Sequence, residues 1–315
     1  MILDLVAVVI GFALLIFGAN LLVDGACQLA ARLGVPERVA GLTIVAIGTS
    51  LPELVVSITS AASGHPDMAF GNVMGSCLAN LLLILGLSAV IAPVSLSRAT
   101  VRFEVPASVG AAALLFLLAN TGGGISAPEG AVLLAAFAAF IIRTVRVGIR
   151  EGAEGTEPQD PPSGRHGTLA NLALVVAGAT LLKLGADAAV GGATAIAGNL
   201  GISERVIGIT IVALGTCLPE LVTSVVAALR GNSDIAVGNV MGSNVSNLLL
   251  VTGGPALFSI LPYDAAYNID LALLAALSLA VVAFAYVGKR HEMSRANGVV
   301  FVVIYAAYIA TSVLR

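Results

Sequence analysis

Two glutamates lie in the middle of long apolar stretches of this 315-residue chain. Glu53 belongs to the segment GTSLPELVV, and Glu220 belongs to the segment GTCLPELVT. A charged side chain at the centre of a bilayer costs about 2.5 to 3.5 kcal/mol on insertion scales, so two of them call for a functional reason. Two carboxylates also balance the charge of one divalent cation. We therefore predict cation binding for this pair, rather than two neutral carboxyl groups buried for packing.

Polar residues accompany each glutamate at the spacing of a helix face. Steps of three and four residues define two such faces, formed by Ala46, Thr49, Ser50 and Glu53 and by Ala213, Thr216, Cys217 and Glu220. Two further segments place an asparagine four residues after a serine, in the pairs Ser76 with Asn80 and Ser243 with Asn247. Carboxylates, hydroxyls and amides are hard oxygen ligands, which suit Ca²⁺ better than a transition metal. For the serines and asparagines, hydrogen bonding between membrane helices is the alternative.

A proline precedes each of the two glutamates. Pro52 and Pro219 lack the amide hydrogen that would bond to the carbonyl four residues earlier, at Gly48 and Gly215. We therefore expect both helices to break beside the glutamates and to expose carbonyl oxygens. Such backbone is tolerated at membrane depth only where protein or a wet cavity surrounds it.

The composition places the chain in a lipid bilayer. Hydrophobic residues make up 58% of it and charged residues 10%, whereas charged residues are about a quarter of a soluble domain. Apolar stretches long enough to cross the hydrocarbon core centre on residues 2–24, 39–62, 68–91, 104–120, 127–147, 168–192, 206–229, 235–259, 269–288 and 297–314. We predict an all-α integral membrane protein with ten transmembrane helices. The net charge of −3 argues against a nucleic-acid partner.

The basic residues predict how these helices are oriented. Twelve of the 15 lysines and arginines fall in the odd-numbered loops, and such loops face the cytoplasm. The bias places both termini outside the cell (inner) membrane. The polar segment 150–167 is expected to be a flexible cytoplasmic linker. Lys183, inside the sixth stretch, is expected to pair with Asp187 one turn later, although it could instead approach the glutamates.

The chain repeats itself at an offset of 167 residues. Residues 41–57 match residues 208–224 at 13 of 17 positions, and residues 71–83 match residues 238–250 at 10 of 13. Five predicted helices separate equivalent points, so the second copy enters the membrane upside down. We therefore predict two inverted five-helix units, 1–149 and 168–315, joined by the linker 150–167. Secondary transporters built this way bind their substrate near the midplane, between the two units.

The paired motifs resemble those of a known family. GTSLPE with GNVMGS, repeated as GTCLPE with GNVMGSN, is similar to the two alpha-repeats of the cation/calcium exchanger superfamily, and most of all to the prokaryotic sodium/calcium exchangers. The resemblance extends over essentially the whole chain. It implies an antiporter, not an enzyme, with Ca²⁺ and Na⁺ as transported ions. No cofactor and no obligate protein partner are implied.

The resemblance also implies a role for each matching residue. Ca²⁺ would be held by Glu53 and Glu220 together with the backbone carbonyls of Thr49 and Thr216. The flanking sodium sites would use the two glutamates with Ala46, Ser50, Ser76, Ala213 and Ser243. The first and sixth helices of the family are long and tilted, and they are thought to slide across the remaining helices during alternating access.

Two positions depart from the family pattern. Cys217 stands where the second repeat usually has serine, and a thiol is a poorer ligand than a hydroxyl for a hard cation. Asn247 stands where sodium/calcium exchangers have aspartate. The driving ion therefore stays open between Na⁺ and H⁺, with the same two glutamates serving a Ca²⁺/H⁺ exchanger. The predicted helices contain no histidine and no aspartate pair for an intramembrane hydrolase.

Overall fold

The computed structural model describes residues 1–63, 67–154, 167–201, 211, 213–287 and 291–314. The first residues of the predicted seventh helix and most of the predicted linker lie outside these ranges. The α-helices of the described part are α1 Ile2–Leu33, α2 Glu37–Ala40, α3 Ala46–Thr49, α4 Leu51–Ala62, α5 Asp67–Leu78, α6 Leu85–Ile91, α7 Val105–Gly122, α8 Ala127–Glu154, α9 Thr168–Asn199, α10 Ala213–Thr216, α11 Leu218–Leu229, α12 Ser233–Ser246, α13 Thr252–Ala256, α14 Tyr267–Val287 and α15 Arg295–Leu314. Short π-helical segments, Gly41–Val45, Ala79–Ile84, Thr100–Glu104 and Asn247–Val251, join several of them.

The fold is helical and suited to a membrane. Seven described helices, each continuous through any π segment, are long and apolar enough to span a bilayer. An eighth span is formed if Glu37–Thr49 and Leu51–Ala62, bent by 41° at their junction, are taken together. Leu218–Leu229 and Arg295–Thr311 are shorter apolar helices. The prediction of an all-α membrane protein is confirmed, and the count of ten spans stays a prediction.

The helices α1 and α9 are longer than the sequence predicted. Each has 32 residues, or about 48 Å of helix, which exceeds the roughly 30 Å of a hydrocarbon core and requires tilt. Gly34 ends α1 in a left-handed conformation with φ 64°, which glycine adopts without a steric penalty. The helix α8 continues to Glu154, so the first five residues of the predicted linker are helical.

Glycines bring α1 and α9 into direct backbone contact. A Cβ atom added at Gly18 would lie 2.8 Å from the carbonyl oxygen of Gly178, and one added at Gly178 would lie 2.7 Å from that of Gly18. Gly11 and Gly185 make the same reciprocal contact. Small residues permit this close approach, which is a main source of helix association in membranes.

Two largely buried helices, each with a π segment inside it, form the centre of the molecule. One consists of α5, the π segment Ala79–Ile84 and α6, and the other of α12, the π segment Asn247–Val251 and α13. In the second, 94% of the most apolar 18-residue stretch is buried inside the protein. Its polar side chains therefore face protein rather than lipid. Both π segments occur at matching positions of the repeat. A π segment inside an α-helix often marks a functional site.

Contacts between the two halves occur in equivalent pairs. The strand β1 (Val94–Ser95) pairs with β4 (Glu292–Met293), and β2 (Gly124–Ile125) pairs with β3 (Leu261–Pro262), both antiparallel. Two glycine contacts follow the same rule. A Cβ at Gly298 would meet the carbonyl oxygen of Gly86 at 2.5 Å, and one at Gly130 would meet that of Gly253 at 2.9 Å. Each contact joins residues of 1–149 to residues of 168–315.

A buried ion pair holds the start of α2. Arg38 is 5% exposed, and its Nη1 lies 3.5 Å from Oε1 of Glu104, whose side chain is fully buried. The guanidinium also contacts the carboxylate of Glu151 near the end of α8. Because α2 leads through a π segment into α3, these contacts fix the approach to the glutamate-bearing helix.

Candidate cation site

Both glutamate-bearing helices break one residue after a threonine. Helix α3 ends at Thr49 and α4 begins at Leu51, while Ser50 between them has φ −84° and ψ 3°. In the second half, Cys217 takes the same place with φ −87° and ψ 1°. The predicted breaks are therefore present. Each glutamate lies in the first turn of the new helix, where the positive end of the helix dipole stabilises a carboxylate.

The two carboxylates are buried, and a side chain of the first half bonds to the carboxylate of the second. Glu53 and Glu220 are each 1% exposed. The hydroxyl of Ser50 donates to Oε1 of Glu220 at 3.1 Å. The other three carboxylate oxygens accept no hydrogen bond from the described residues. Oxygens of this kind are available to a cation.

Amides and hydroxyls nearby are also without partners. Asn80 and Asn247, both on the central helices, have no side-chain hydrogen bond within the described part of the chain, and neither does the hydroxyl of Ser243. All three residues are at most 1% exposed. A buried polar group left unpaired costs about 1 to 3 kcal/mol. The oxygens among these groups, Oδ1 of the two asparagines and Oγ of Ser243, are therefore available as ligands for a cation.

The chemistry of the donors favours an oxygen-bound cation. Among the described residues, no group of three His, Cys, Asp or Glu side chains is placed to hold a metal ion. Two carboxylates with amide, hydroxyl and carbonyl oxygens suit Ca²⁺, which takes roughly 6 to 8 oxygen ligands. The site residues thus fit the cation that the sequence predicts.

The remaining predicted site residues near the helix breaks differ in burial and in contacts. Thr49 is 1% exposed, and its hydroxyl has two acceptors within hydrogen-bond distance, the carbonyl of Val45 at 3.1 Å and Oδ1 of Asn239 at 3.2 Å. Thr216 is half-buried, and its hydroxyl oxygen lies 3.9 Å from the sulfur of Cys217. Ser76 is buried beside that same sulfur.

The two predicted alanines lie on the short helices before the breaks. Ala46 is fully buried at the start of α3, and Ala213 is the first residue of α10. An added Cβ at Gly242 would lie 2.7 Å from that of Ala46, so α12 packs directly on this end of the first broken helix.

Two asparagines that the sequence analysis did not select support the glutamates. Asn72 donates to the carbonyl of Glu53 at 3.4 Å and to the hydroxyl of Ser57 at 3.2 Å. Asn239 makes the equivalent bonds to Glu220 at 3.3 Å and to Ser224 at 2.9 Å. The signal was present, because this asparagine is identical in the two copies of GNVMGS.

Lys183 pairs with an aspartate of its own helix. Its Nζ bonds to both carboxylate oxygens of Asp187, at 2.7 Å and 2.5 Å, so the predicted intrahelical pair is confirmed. Its side chain is 44% exposed. The residue lines an apolar cavity of about 570 Å³ between α9 and the first broken helix, beside Gly48 and Pro52.

Comparison with known proteins identifies the family. The family described as "Sodium/calcium exchanger protein" matches residues 3–146 and, again, residues 170–314. The chain is 34% identical over 306 residues to the putative antiporter CaxA of Alkalimonas amylolytica, covering 96% of each chain. It is 28% identical over 335 residues to the sodium/calcium exchanger MaX1 of Methanosarcina acetivorans, covering 95% of each chain.

A solved structure agrees with this result. The chain matches the sodium-calcium exchanger NCX_Mj, soaked with Na⁺ and Ca²⁺, at a TM-score of 0.84 and 33% identity, covering 98% of each chain. The fold, the two matched segments and the buried oxygen-rich site all agree with that relationship. The chain is therefore a multi-pass membrane protein of the cation/calcium antiporter type and belongs to the sodium/calcium exchanger family.

Proposed function

We propose that this protein exchanges Ca²⁺ for Na⁺ across the membrane by alternating access. The observation that carries the proposal is the pair of buried glutamates, three of whose four carboxylate oxygens accept no hydrogen bond from the described residues. A site that holds two carboxylates near unpaired amides can be occupied by one Ca²⁺ or by Na⁺, but not by both. Mutual exclusion of this kind couples the two ion fluxes. The relatives named sodium/calcium exchangers support this assignment.

The proposed ligands follow from the positions of the site residues. Glu53 and Glu220 bind Ca²⁺ with the carbonyl oxygens of Thr49 and Thr216, which lie at the two breaks. Asn80 and Asn247 contribute amide oxygens. The flanking sodium positions use the glutamates with Ala46, Ser50, Ser76, Ala213 and Ser243, and Cys217 borders the flank that contains Ser76.

The proposed architecture consists of two inverted five-helix units, 1–149 and 168–315, with the linker 150–167 between them. The equivalent strand pairs and glycine contacts support it, as do the two separate family matches. Ten spans result if both broken helices and Arg295–Leu314 cross the membrane. The positive-inside rule then places both termini outside the inner membrane and the linker in the cytoplasm.

The helices α1 and α9 are the proposed moving unit. They contact each other through glycine backbones, and their outer surfaces carry exposed apolar residues such as Ile10 and Val176, as expected for a pair facing lipid. The close backbone contact holds α1 and α9 together, so that the pair can move as one body across the broken helices. The site then opens to one side at a time.

Uptake of radioactive calcium into proteoliposomes tests the exchange directly. An outward Na⁺ gradient is expected to drive uptake, and a pH gradient at equal Na⁺ is expected to drive none. Uptake with the pH gradient alone would instead establish the second candidate, Ca²⁺/H⁺ exchange. Two residues favour that candidate. Cys217 takes the place of a serine that would bind sodium, and the neutral Asn247 takes the place of an aspartate.

A further inference from the structure

Arg230 links the end of α11 to helix α1. Its Nη1 lies 2.5 Å from Oδ1 of Asp24, and its Nη2 bonds to Oδ1 of Asn20, one turn earlier on α1. Two residues after Arg230, the amide of Asn232 donates to Oε2 of Glu37 at the start of α2, at 2.7 Å. These contacts hold the end of the second broken helix against two helices of the first half.

Apolar packing beside Arg230 joins the same two helices. Leu22 and Ala26 of α1 belong to one buried cluster with Ala227 of α11, and Val222 of α11 packs against that cluster. The helices α1 and α11 are therefore in close contact along the part of the broken helix that follows Glu220.

The equivalent place in the first half is packed differently. Leu51 and Val55 of α4 correspond to Leu218 and Val222 of α11 at the offset of 167 residues. Leu51 is 46% exposed and Val55 is 53% exposed, whereas both equivalents are half-buried. Leu51 and Val55 line the cavity of about 570 Å³ between α9 and the first broken helix. Thus α1 covers α11, while a cavity separates α9 from α4.

The sequence does not repeat the ion pair of Arg230. At the offset of 167 residues, Ser63 stands in the place of Arg230, and Gly191 stands in the place of Asp24. Neither side chain carries a charge. The ion pair therefore belongs to one side of the site, and the positive-inside rule places that side in the cytoplasm.

We infer that the bonds from Arg230 to Asp24 and Asn20 form a latch that favours the state closed to the cytoplasm. The inference rests on the proposed alternating access, in which α1 and α9 move together across the broken helices. For the site to open to the cytoplasm, α1 must leave α11, and the latch must break. Because both charged side chains are partly exposed, the latch shifts this equilibrium by a factor of about 2 to 5, as is typical of an exposed ion pair.

The calcium affinities at the two faces of the membrane measure this equilibrium. The apparent affinity at each face is reduced by the fraction of protein open to that face, so the ratio of outer to inner affinity follows the equilibrium. Calcium–calcium exchange in proteoliposomes of uniform orientation gives both affinities and needs neither Na⁺ nor H⁺. We expect Arg230→Gln to lower the ratio about 2- to 5-fold. An unchanged ratio would overturn the inference.

Further variants show whether the ion pair itself is responsible. Asp24→Asn should shift the ratio in the same direction, and the double variant should shift it no further than Arg230→Gln alone, because both changes break one bond. Arg295→Gln is the matched control, since Arg295 bonds to the backbone carbonyl of Ile91 at 3.3 Å and lies outside the moving helices. Additive shifts, or an equal shift in Arg295→Gln, contradict the latch.

Spin labels make the test independent of transport. Leu33 at the end of α1 and Leu229 at the end of α11 are both exposed, so Leu33→Cys and Leu229→Cys can carry labels. Cys27→Ser removes the half-buried native thiol, and the other two cysteines are buried. A longer distance between the labels should become more populated when Arg230→Gln is added, and an unchanged distribution contradicts the inference. If the labels show this shift but calcium is not exchanged, the proposed function fails while the latch stands.

Discussion

Glu53 and Glu220 differ in their hydrogen bonds although the sequence around them is nearly the same. Glu220 accepts a bond from Ser50, and Glu53 has none within the described residues. The sequence predicted the pair, the breaks beside it and the polar residues on the same face, because these follow from proline chemistry and helical spacing. It could not predict which half satisfies its carboxylate. That depends on a contact between residues 170 positions apart.

The asparagines that support the glutamates give a prediction at this scale. Asn239→Ala removes bonds to the carbonyl of Glu220, to Ser224 and to Thr49, all of them buried. We expect a loss of about 1 to 3 kcal/mol in the free energy of unfolding, because buried partners are left unpaired. We also expect weaker calcium binding, since the backbone of Glu220 is released. Thermal unfolding and calcium titration of the detergent-purified protein measure the two effects.

A matched control separates this effect from the loss of any amide. Asn120 also bonds through its amide, to Asn268 at 2.9 Å, but the pair is exposed. Asn120→Ala should therefore change both quantities little. Equal losses in the two variants would show that Asn239 has no special role.

At the scale of elements, most helices were predictable and their ends were less so. The apolar stretch 2–24 located α1 correctly, but its predicted end at residue 24 is nine residues early. Polar residues late in this helix, such as Asp24, look like a loop in a hydropathy pattern. They are accommodated because Asp24 pairs with Arg230 of the loop after α11, at 2.5 Å. Tertiary contacts of this kind cannot be read from composition.

The ion pair at the start of α2 gives a prediction for helix packing. Arg38→Met leaves Glu104 buried without its cation, and breaking a buried pair in this way costs about 3 to 5 kcal/mol. The equivalent of Glu104 in the second repeat is Leu271, which is also buried. The double variant Arg38→Met with Glu104→Leu should therefore recover most of the stability. The melting temperature of each purified variant decides the question. A double variant no more stable than Arg38→Met would contradict it.

The glycine contacts of α1 and α9 give a second prediction. Gly192 lies against α1, where an added Cβ would meet the carbonyl oxygen of Asp4 at 2.5 Å. The neighbouring Gly191 has no atom within 4 Å of that position among those considered. Gly192→Leu should separate the helices and slow exchange, whereas Gly191→Leu should not. Initial rates of calcium uptake at equal protein density compare the two variants. Equal rates would show that the close contact between α1 and α9 has no role in transport.

The whole molecule combines two halves of matching architecture with a site whose residues differ between the halves. The repeat in the sequence predicts matching contacts in the two halves, and the strand pairs β1 with β4 and β2 with β3 show this pattern. The inequality was visible only at single positions, such as Cys217 against Ser50 and Leu271 against Glu104. How these differences act depends on neighbours brought together by folding. We expect the matching architecture of the two halves to provide alternating access. The residues that differ between the halves are expected to set which ions are exchanged.

Equilibrium calcium binding to the purified protein tests the central claim most directly. The account predicts binding of a single Ca²⁺ per chain, displaced competitively by Na⁺, because both ions need the oxygens of Glu53 and Glu220. Glu53→Gln and Glu220→Gln keep the side-chain size and remove the charge, so each should abolish calcium binding. Calcium binding that survives in either variant, with the affinity of the wild type, would contradict the account.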